Sequence, residues 1–305
     1  MSNTTVISQS EKVEREKSFV TEFLSLIKIG IVYSNVFVTF TGLFLAIQWT
    51  GQSFIAQLDV VIVTLLGASL IIAGSAAMNN WIDRDIDPFM DRTKDRPTVS
   101  GRFDGKEVFV TAMSLLIIGE AMLFFIGPVV GWLGLVGIIS YVVVYSMWSK
   151  RRHVSNTIVG SISGAVPPVL GWAAIQPELG MGALALFLIM FVWQPPHFYA
   201  LAMRRAEEYR AANIPMLPVV KGMKRTKWSI VGWVILLFPL PFLLTELGVG
   251  FLLVATALNI GWLYFAIRGL VRPTDDHQWA TSMFVYSINY MMILFLSINV
   301  FAIFM

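Results

Sequence analysis

Cysteine is absent from this sequence, and charged residues are scarce. The lack of cysteine excludes disulfide bonds, a thiolate nucleophile and cysteine-coordinated metals. Only 13% of the 305 residues are charged while 56% are hydrophobic, which is more apolar surface than a soluble core can bury. Residues 1–18 contain no apolar segment and are expected to form a mobile polar cytoplasmic tail rather than a cleavable signal. Residues 19–305 are expected to form a single domain.

Long apolar runs make up most of the remaining chain. A helix needs about 20 residues to cross a hydrocarbon core of about 30 Å. The sequence therefore predicts an all-α integral membrane protein, a bundle of nine transmembrane helices. The predicted spans cover residues 24–47, 60–78, 108–127, 132–148, 157–175, 181–203, 228–247, 250–270 and 280–304.

The basic residues predict the orientation of this bundle. The 22 Lys and Arg residues lie in the N-terminal tail, at Lys28, and in or beside the connections that follow spans 2, 4, 6 and 8. The opposite side carries only the acidic Asp59, Glu178 and Glu246. The positive-inside rule places the N-terminus in the cytoplasm and the C-terminus outside. We expect a bacterial plasma-membrane protein with its active site on the cytoplasmic side.

A stripe of oxygen-bearing side chains lies at the end of the second span. Asn79, Asp83 and Asp87 are four residues apart, so on a helix they share one face and rise about 6 Å per step. Stacked carboxylates repel each other unless a cation lies among them, and oxygen ligands suit magnesium bridging to a phosphate. Pro88 disfavours helix in the residue before it, so the helix should kink or stop at about Asp87. Asp91 is for that reason a weaker candidate ligand.

Two further polar clusters lie at cytoplasmic ends of predicted spans. Glu207 and Glu208 follow span 6, and two acidic clusters on one side suggest a two-sided metal cage. Lys150, Arg151 and Arg152 follow span 4 directly, where cations could hold a diphosphate leaving group. Plainer interpretations stay open: a solvated acidic helix end for the stripe, and positive-inside anchoring for the basic triplet.

Four motifs together resemble the UbiA-type intramembrane prenyltransferases. The pattern N-x-x-x-D-x-x-x-D begins at Asn79, and R-T-K-D-R-P begins at Arg92. W-Q-P-P-H-F begins at Trp193, and A-A-N-I-P-M-L-P-V-V begins at Ala211. In this order the motifs are similar to the branch of the family that uses haem as the prenyl acceptor. The likeness covers the chain from about Leu24 onward.

The resemblance implies roles for individual residues. Magnesium would be bound by Asn79, Asp83, Asp87 and Glu208, with the adjacent Glu207 as an alternative to Glu208. Catalysis would involve Asp83, Asp87 and Lys150. The substrate-binding residues would be Lys28, Arg84, Arg96, Arg151, His197 and Arg205. Of these, His197 would contact haem or ligate its iron; packing against a neighbouring helix is the alternative for this histidine.

The resemblance also implies the substrates and the chemistry. Farnesyl diphosphate and haem B would be the substrates, Mg2+ the cofactor and membrane lipid the surroundings, with haem A synthase or another haem-handling membrane protein as a partner. The diphosphate would ionise to an allylic cation, which a haem vinyl group captures before water completes the product. No nucleic acid is expected to bind, because the net charge of +3 belongs to the cytoplasmic face.

Two other functions remain open from the sequence. One is a UbiA-type prenyltransferase that acts on an aromatic quinone precursor. The other is a secondary transporter, suggested by Lys28 and Glu120 within predicted spans, where ionisable groups are costly. Transporter sites usually lie near the midplane, whereas most carboxylates here lie at one surface, which favours an enzyme. Glu120 is expected to be structural, either hydrogen-bonded or protonated within the bundle.

Overall fold

The computed structural model describes residues 18–272 and 275–305, and all regular secondary structure in these ranges is helical. The predicted tail, apart from Ser18, lies outside the described residues. The helices are α1 (Phe19–Leu26), α2 (Ile29–Trp49), α3 (Leu58–Asp83), α4 (Gly105–Ile126), α5 (Pro128–Ile138), α6 (Lys150–Arg152), α7 (Asn156–Ile175), α8 (Met181–Arg204), α9 (Ala206–Ala211), α10 (Leu217–Leu236), α11 (Gly248–Val271) and α12 (Asp276–Ala302).

Short segments of other helical geometry connect these elements. A π-helical segment, Ile139–Ser149, joins α5 to α6 without a loop. In the part of the chain that the structure describes, three 3-10 helices occupy Ile55–Gln57, Asp87–Phe89 and Leu240–Leu247.

Within the described residues, eight helical segments are long and apolar enough to cross a membrane, and the protein is an integral membrane protein. One of them, Leu217–Val271, has 55 residues and takes in the seventh and eighth predicted spans. As one straight helix it would measure about 80 Å, more than twice the thickness of a bilayer core. The 3-10 helix Leu240–Leu247 interrupts it and separates α10 from α11.

The predicted starts of two spans differ from the observed helix starts by five residues or more. The first span was predicted to begin at residue 24, but α2 begins at Ile29, because Lys28 takes a left-handed conformation that interrupts the helix. The seventh was predicted to begin at residue 228, but α10 begins at Leu217. Its first turns, which a kink at the non-helical Gly222 divides, carry several lysines and an arginine, and the hydropathy pattern excluded these charged residues from the span.

Glycine allows the central helices to approach closely. α2 packs against α7, and α7 packs against α8. A Cβ atom at Gly42 would collide with the carbonyl oxygen of Pro168, and one at Gly171 would collide with the carbonyl oxygen of Thr39. Small residues that bring backbones into contact are typical of helix association in membranes. α2 and α7 therefore form a tight central pair, beside which α3 presents its polar end.

Candidate active site

The last turns of α3 carry two buried members of the predicted stripe. Asn79 is 4% exposed and Asp83 is 0% exposed. The Asn79 Nδ2 donates to Asp83 Oδ2 at 2.8 Å and to the hydroxyl of Ser146 at 3.1 Å. Burial of both side chains excludes the interpretation of this stripe as a solvated helix end.

Asp87 lies in the same region, but not on the helix that was predicted to carry it. α3 ends at Asp83, so the helix stops one turn earlier than expected and Asp87 is not on it. Asp87 begins the 3-10 helix Asp87–Phe89, and the Thr93 hydroxyl donates to its carbonyl oxygen at 2.8 Å. The turn buries the Asp87 side chain completely.

Basic side chains from three other segments meet these polar groups. The ammonium of Lys28 donates to Asn79 Oδ1 at 2.5 Å, and that of Lys150 forms an ion pair with Asp83. Arg96 Nη1 lies 2.6 Å from Asp87 Oδ2. The structure thus brings Lys28, Lys150 and Arg96 to the predicted stripe.

Arg151 joins the edge of this cluster. Its guanidinium makes a two-point contact with Asp85, with nitrogen–oxygen distances of 2.6 and 2.7 Å. One nitrogen also lies 3.5 Å from Asp83 Oδ1. The hydrogen bond from Arg151 lowers the pKa of Asp85, whereas burial raises the pKa of Asp87 even though the adjacent Arg96 opposes that shift. The charge on Asp87 is therefore costly even beside Arg96, and a second cation there would be favourable.

The donor set fits a divalent metal that prefers oxygen. Asp83 Oδ1 and Asp87 Oδ1 are both buried without a hydrogen-bond partner, although Arg151 lies 3.5 Å from the first of them. Each carboxylate therefore has an oxygen that could bind a hard cation. In the described ranges, no three Asp, Glu or His side chains form a group that could hold a metal alone. Oxygen atoms of the substrate would have to complete the coordination.

Among the described residues, Glu208 does not join Asp83 and Asp87 in such a group, and magnesium binding by Asn79, Asp83, Asp87 and Glu208 stays a prediction. Glu208 lies in α9 and accepts a hydrogen bond of 2.6 Å from Arg205, one turn earlier, and Glu207 pairs with Arg210. Local pairs at this spacing satisfy both glutamates within their own segment.

Two predicted substrate-binding residues, Arg84 and His197, contact aromatic rings. The guanidinium of Arg84 stacks 4.6 Å from the ring centroid of Trp81 and donates to its carbonyl oxygen. His197 lies between the rings of Trp193 and Phe284, at centroid distances of 4.7 and 4.8 Å. Its Nδ1 is 2.7 Å from the hydroxyl of Ser287. In the structure this histidine therefore packs against a neighbouring helix, which was the alternative to a haem contact.

Sequence reasoning missed the contribution of the π-helical segment. Ser146 lies in it and accepts a hydrogen bond from Asn79, and the rings of Tyr141 and Tyr145 in the same segment stack on each other at a centroid distance of 5.8 Å. π-helical turns often occur at functional sites because they redirect side chains. A single serine or tyrosine within an apolar run gives no signal of such a turn.

Glu120 of α4 is buried, and neither carboxylate oxygen has a hydrogen-bond partner. The hydrogen-bonded alternative is therefore wrong, and a protonated, structural Glu120 stays a prediction. We expect Glu120→Gln, which keeps the size of a neutral acid, to retain most turnover per folded protein in a membrane assay. Loss of activity at a normal level of folded protein would contradict this prediction and would favour the alternative function of a secondary transporter.

The fold and the buried amide–carboxylate cluster, ringed by cations, define an intramembrane prenyltransferase. The family described as the UbiA prenyltransferase family matches residues 35–288. The chain belongs to the UbiA prenyltransferase family.

Its curated relatives include Protoheme IX farnesyltransferase 1 of Lysinibacillus sphaericus (strain C3-41), which is 64% identical over 287 residues and 94% of each chain. Solved structures that share the fold include the following two. One, from work on digeranylgeranylglyceryl phosphate synthase, has a TM-score of 0.74 at 18% identity and covers 94% of this chain and 99% of the other. The other, a UbiA homolog from Archaeoglobus fulgidus bound to GPP and Mg2+, has a TM-score of 0.63 at 17% identity and covers 91% and 99%.

Proposed function

We propose that this protein transfers a farnesyl group from farnesyl diphosphate to a vinyl group of protohaem IX, giving haem O for terminal oxidases. The observation that carries the proposal is the 64% identity, over nearly the whole chain, to a protein named Protoheme IX farnesyltransferase 1. The buried cluster of α3 supports it, because the cluster combines free carboxylate oxygens with cations suited to a diphosphate.

In this proposal the cations move from protein partners to substrate. Lys150 and Arg96, now paired with Asp83 and Asp87, would bind diphosphate oxygens and stabilise the charge that develops as the C–O bond breaks. Lys28 and Arg151 would hold the diphosphate from either side. Mg2+ bound to the free carboxylate oxygens would neutralise further charge on the leaving group.

The acceptor then completes the reaction. The haem vinyl group would donate its electron pair to the allylic carbon, forming the new C–C bond. Water would add to the resulting cation and release a proton, leaving a hydroxyethylfarnesyl side chain. His197 and Arg205 are proposed to bind substrate beside this site, and Glu208 to approach the metal once its pair with Arg205 opens. Arg84 is proposed to contact the diphosphate only if it leaves Trp81, and transfer of haem O to haem A synthase or another haem-handling protein stays a prediction.

One experiment separates this function from its alternatives. Membranes containing the protein are incubated with farnesyl diphosphate, Mg2+ and either haem or 4-hydroxybenzoate, and product mass is measured. We expect a farnesylated haem that disappears when Mg2+ is chelated. A prenylated aromatic acid would instead indicate a quinone-pathway enzyme, and no product in either assay would contradict prenyl transfer.

We also propose nine transmembrane spans, with α10 and α11 crossing separately, the N-terminus in the cytoplasm, and the active site on that side. The absence of cysteine makes a direct test possible, because each introduced thiol is then the only one. Ser53→Cys and Ser100→Cys place isosteric thiols at exposed positions on opposite ends of α3 and α4.

An impermeant maleimide applied to intact cells is expected to label Ser53→Cys and to leave Ser100→Cys unlabelled until the membrane is opened. The reverse pattern would overturn the orientation and the side of the site together.

A further inference from the structure

The turn between α1 and α2 has a strained backbone at a residue of the active site. α1 ends at Leu26 and α2 begins at Ile29, so only two residues separate the helices. Lys28 has φ 52° and ψ 56°, the left-handed region that side chains other than those of Gly, Asn and Asp rarely adopt. Such a conformation persists only where surrounding contacts hold it.

One of those contacts comes from the buried side chain of Asn80. Asn80 is 1% exposed, and its Nδ2 donates to the carbonyl oxygen of Leu26 at 2.8 Å. The last carbonyl groups of a helix have no donor within the helix and must find one elsewhere. Asn80 supplies that donor, so it fixes the end of α1 to the last turns of α3.

The neighbouring residue of α3 contacts the same turn. Asn79 Oδ1 accepts the hydrogen bond from the Lys28 ammonium at 2.5 Å. Two consecutive asparagines therefore hold one turn at two points, Asn80 at its backbone and Asn79 at its side chain. The backbone contact sets where the lysine side chain begins, and hence whether its ammonium reaches the carboxylate cluster.

We infer that Asn80 is a positioning residue for Lys28, holding the α1–α2 turn in the conformation that directs the ammonium to the prenyl diphosphate. The inference rests on the proposed function, because it takes Lys28 as a contact of that substrate. Asn80 itself points to the Leu26 carbonyl and acts only through the lysine. Its loss should weaken diphosphate binding and leave the acceptor unaffected.

A double-mutant cycle in the full-length protein tests this inference. Asn80→Leu keeps the approximate shape of the side chain and removes the donor, and Lys28→Met removes the ammonium. Each is expected to weaken binding of inorganic diphosphate with Mg2+, and to raise KM for farnesyl diphosphate, by about tenfold, the effect of one hydrogen bond to a charged group. The acceptor KM should not change. The double variant should bind no more weakly than Lys28→Met alone, because the two residues act as one unit.

Asn259→Leu is the matched control. Asn259 is also 1% exposed and donates to a backbone carbonyl, that of Leu237, at 3.3 Å. This variant is expected to lower the unfolding temperature without changing diphosphate binding. If Asn80→Leu is not recovered folded, Asn80→Ala removes the same donor with a smaller side chain.

Three results would overturn the inference. Additive losses in the double variant, or a parallel rise in the acceptor KM, would show that Asn80 only supports the fold. Unchanged diphosphate binding in Lys28→Met would remove the lysine from the site. Failure of the wild-type protein to farnesylate haem would instead count against the proposed function, and the diphosphate measurements would still report on Asn80.

Discussion

Asp83→Asn is expected to reduce turnover at least about a hundredfold, since loss of a group that stabilises developing charge costs on the order of 3 kcal/mol. Asp83 is fully buried, holds Lys150 and Asn79, and keeps one carboxylate oxygen free of hydrogen bonds. The amide has the same shape but no charge, so it would bind both the lysine and Mg2+ far more weakly. The affected step is ionisation of the diphosphate rather than binding of the acceptor.

The measurement is product formed per unit of folded protein across a magnesium titration. Some loss of stability is expected as well, because the buried lysine loses its counter-charge, which is why turnover must be normalised to folded protein. Asp91→Asn is the control: its carboxylate is exposed and pairs with Lys94 on the surface, and such pairs contribute little. Wild-type turnover in Asp83→Asn would remove the metal-binding carboxylate from the mechanism.

Gly171→Ala is expected to destabilise the protein by on the order of 3 kcal/mol or to prevent folding, because overpacking a tight interface is costly. The new methyl group would collide with the carbonyl oxygen of Thr39, and backbone of α2 cannot move aside as a side chain could. α2 and α7 would have to separate, which would disturb the central pair of the bundle.

Gly232→Ala is the matched control for this substitution. Gly232 is also helical, but a Cβ there meets nothing within 4 Å. Alanine favours helix over glycine by about 1 kcal/mol, so this variant should be unchanged or slightly more stable. The stability of both variants is measured by denaturant unfolding in detergent and by the amount of protein in the membrane. Equal stability of the two would show that α2 and α7 are not in backbone contact.

The ion pairs of the site could not be predicted from the spacing of neighbouring residues in the sequence. Lys150 and Asp83 are 67 positions apart in sequence, and the sequence predicted that both belong to the site without predicting that they pair. Arg84 and Arg151 were predicted alike as diphosphate contacts. Arg84 follows Asp83 directly and its side chain stacks on Trp81, whereas Arg151, from a distant segment, lies 3.5 Å from Asp83.

By itself, the sequence determined the helical membrane bundle and the family, and it predicted the end of α3 as the site of chemistry. These follow from the length of apolar runs and from motif spacing, which are properties of contiguous residues. Only the tertiary structure decided that α3 ends at Asp83, that a π-helical segment brings Ser146 to Asn79, and that a strained turn directs Lys28 to the same point. These three features depend on where each helix ends and on which of its faces contacts a segment that is distant in sequence. Packing between segments determines the helix end and the contacting face.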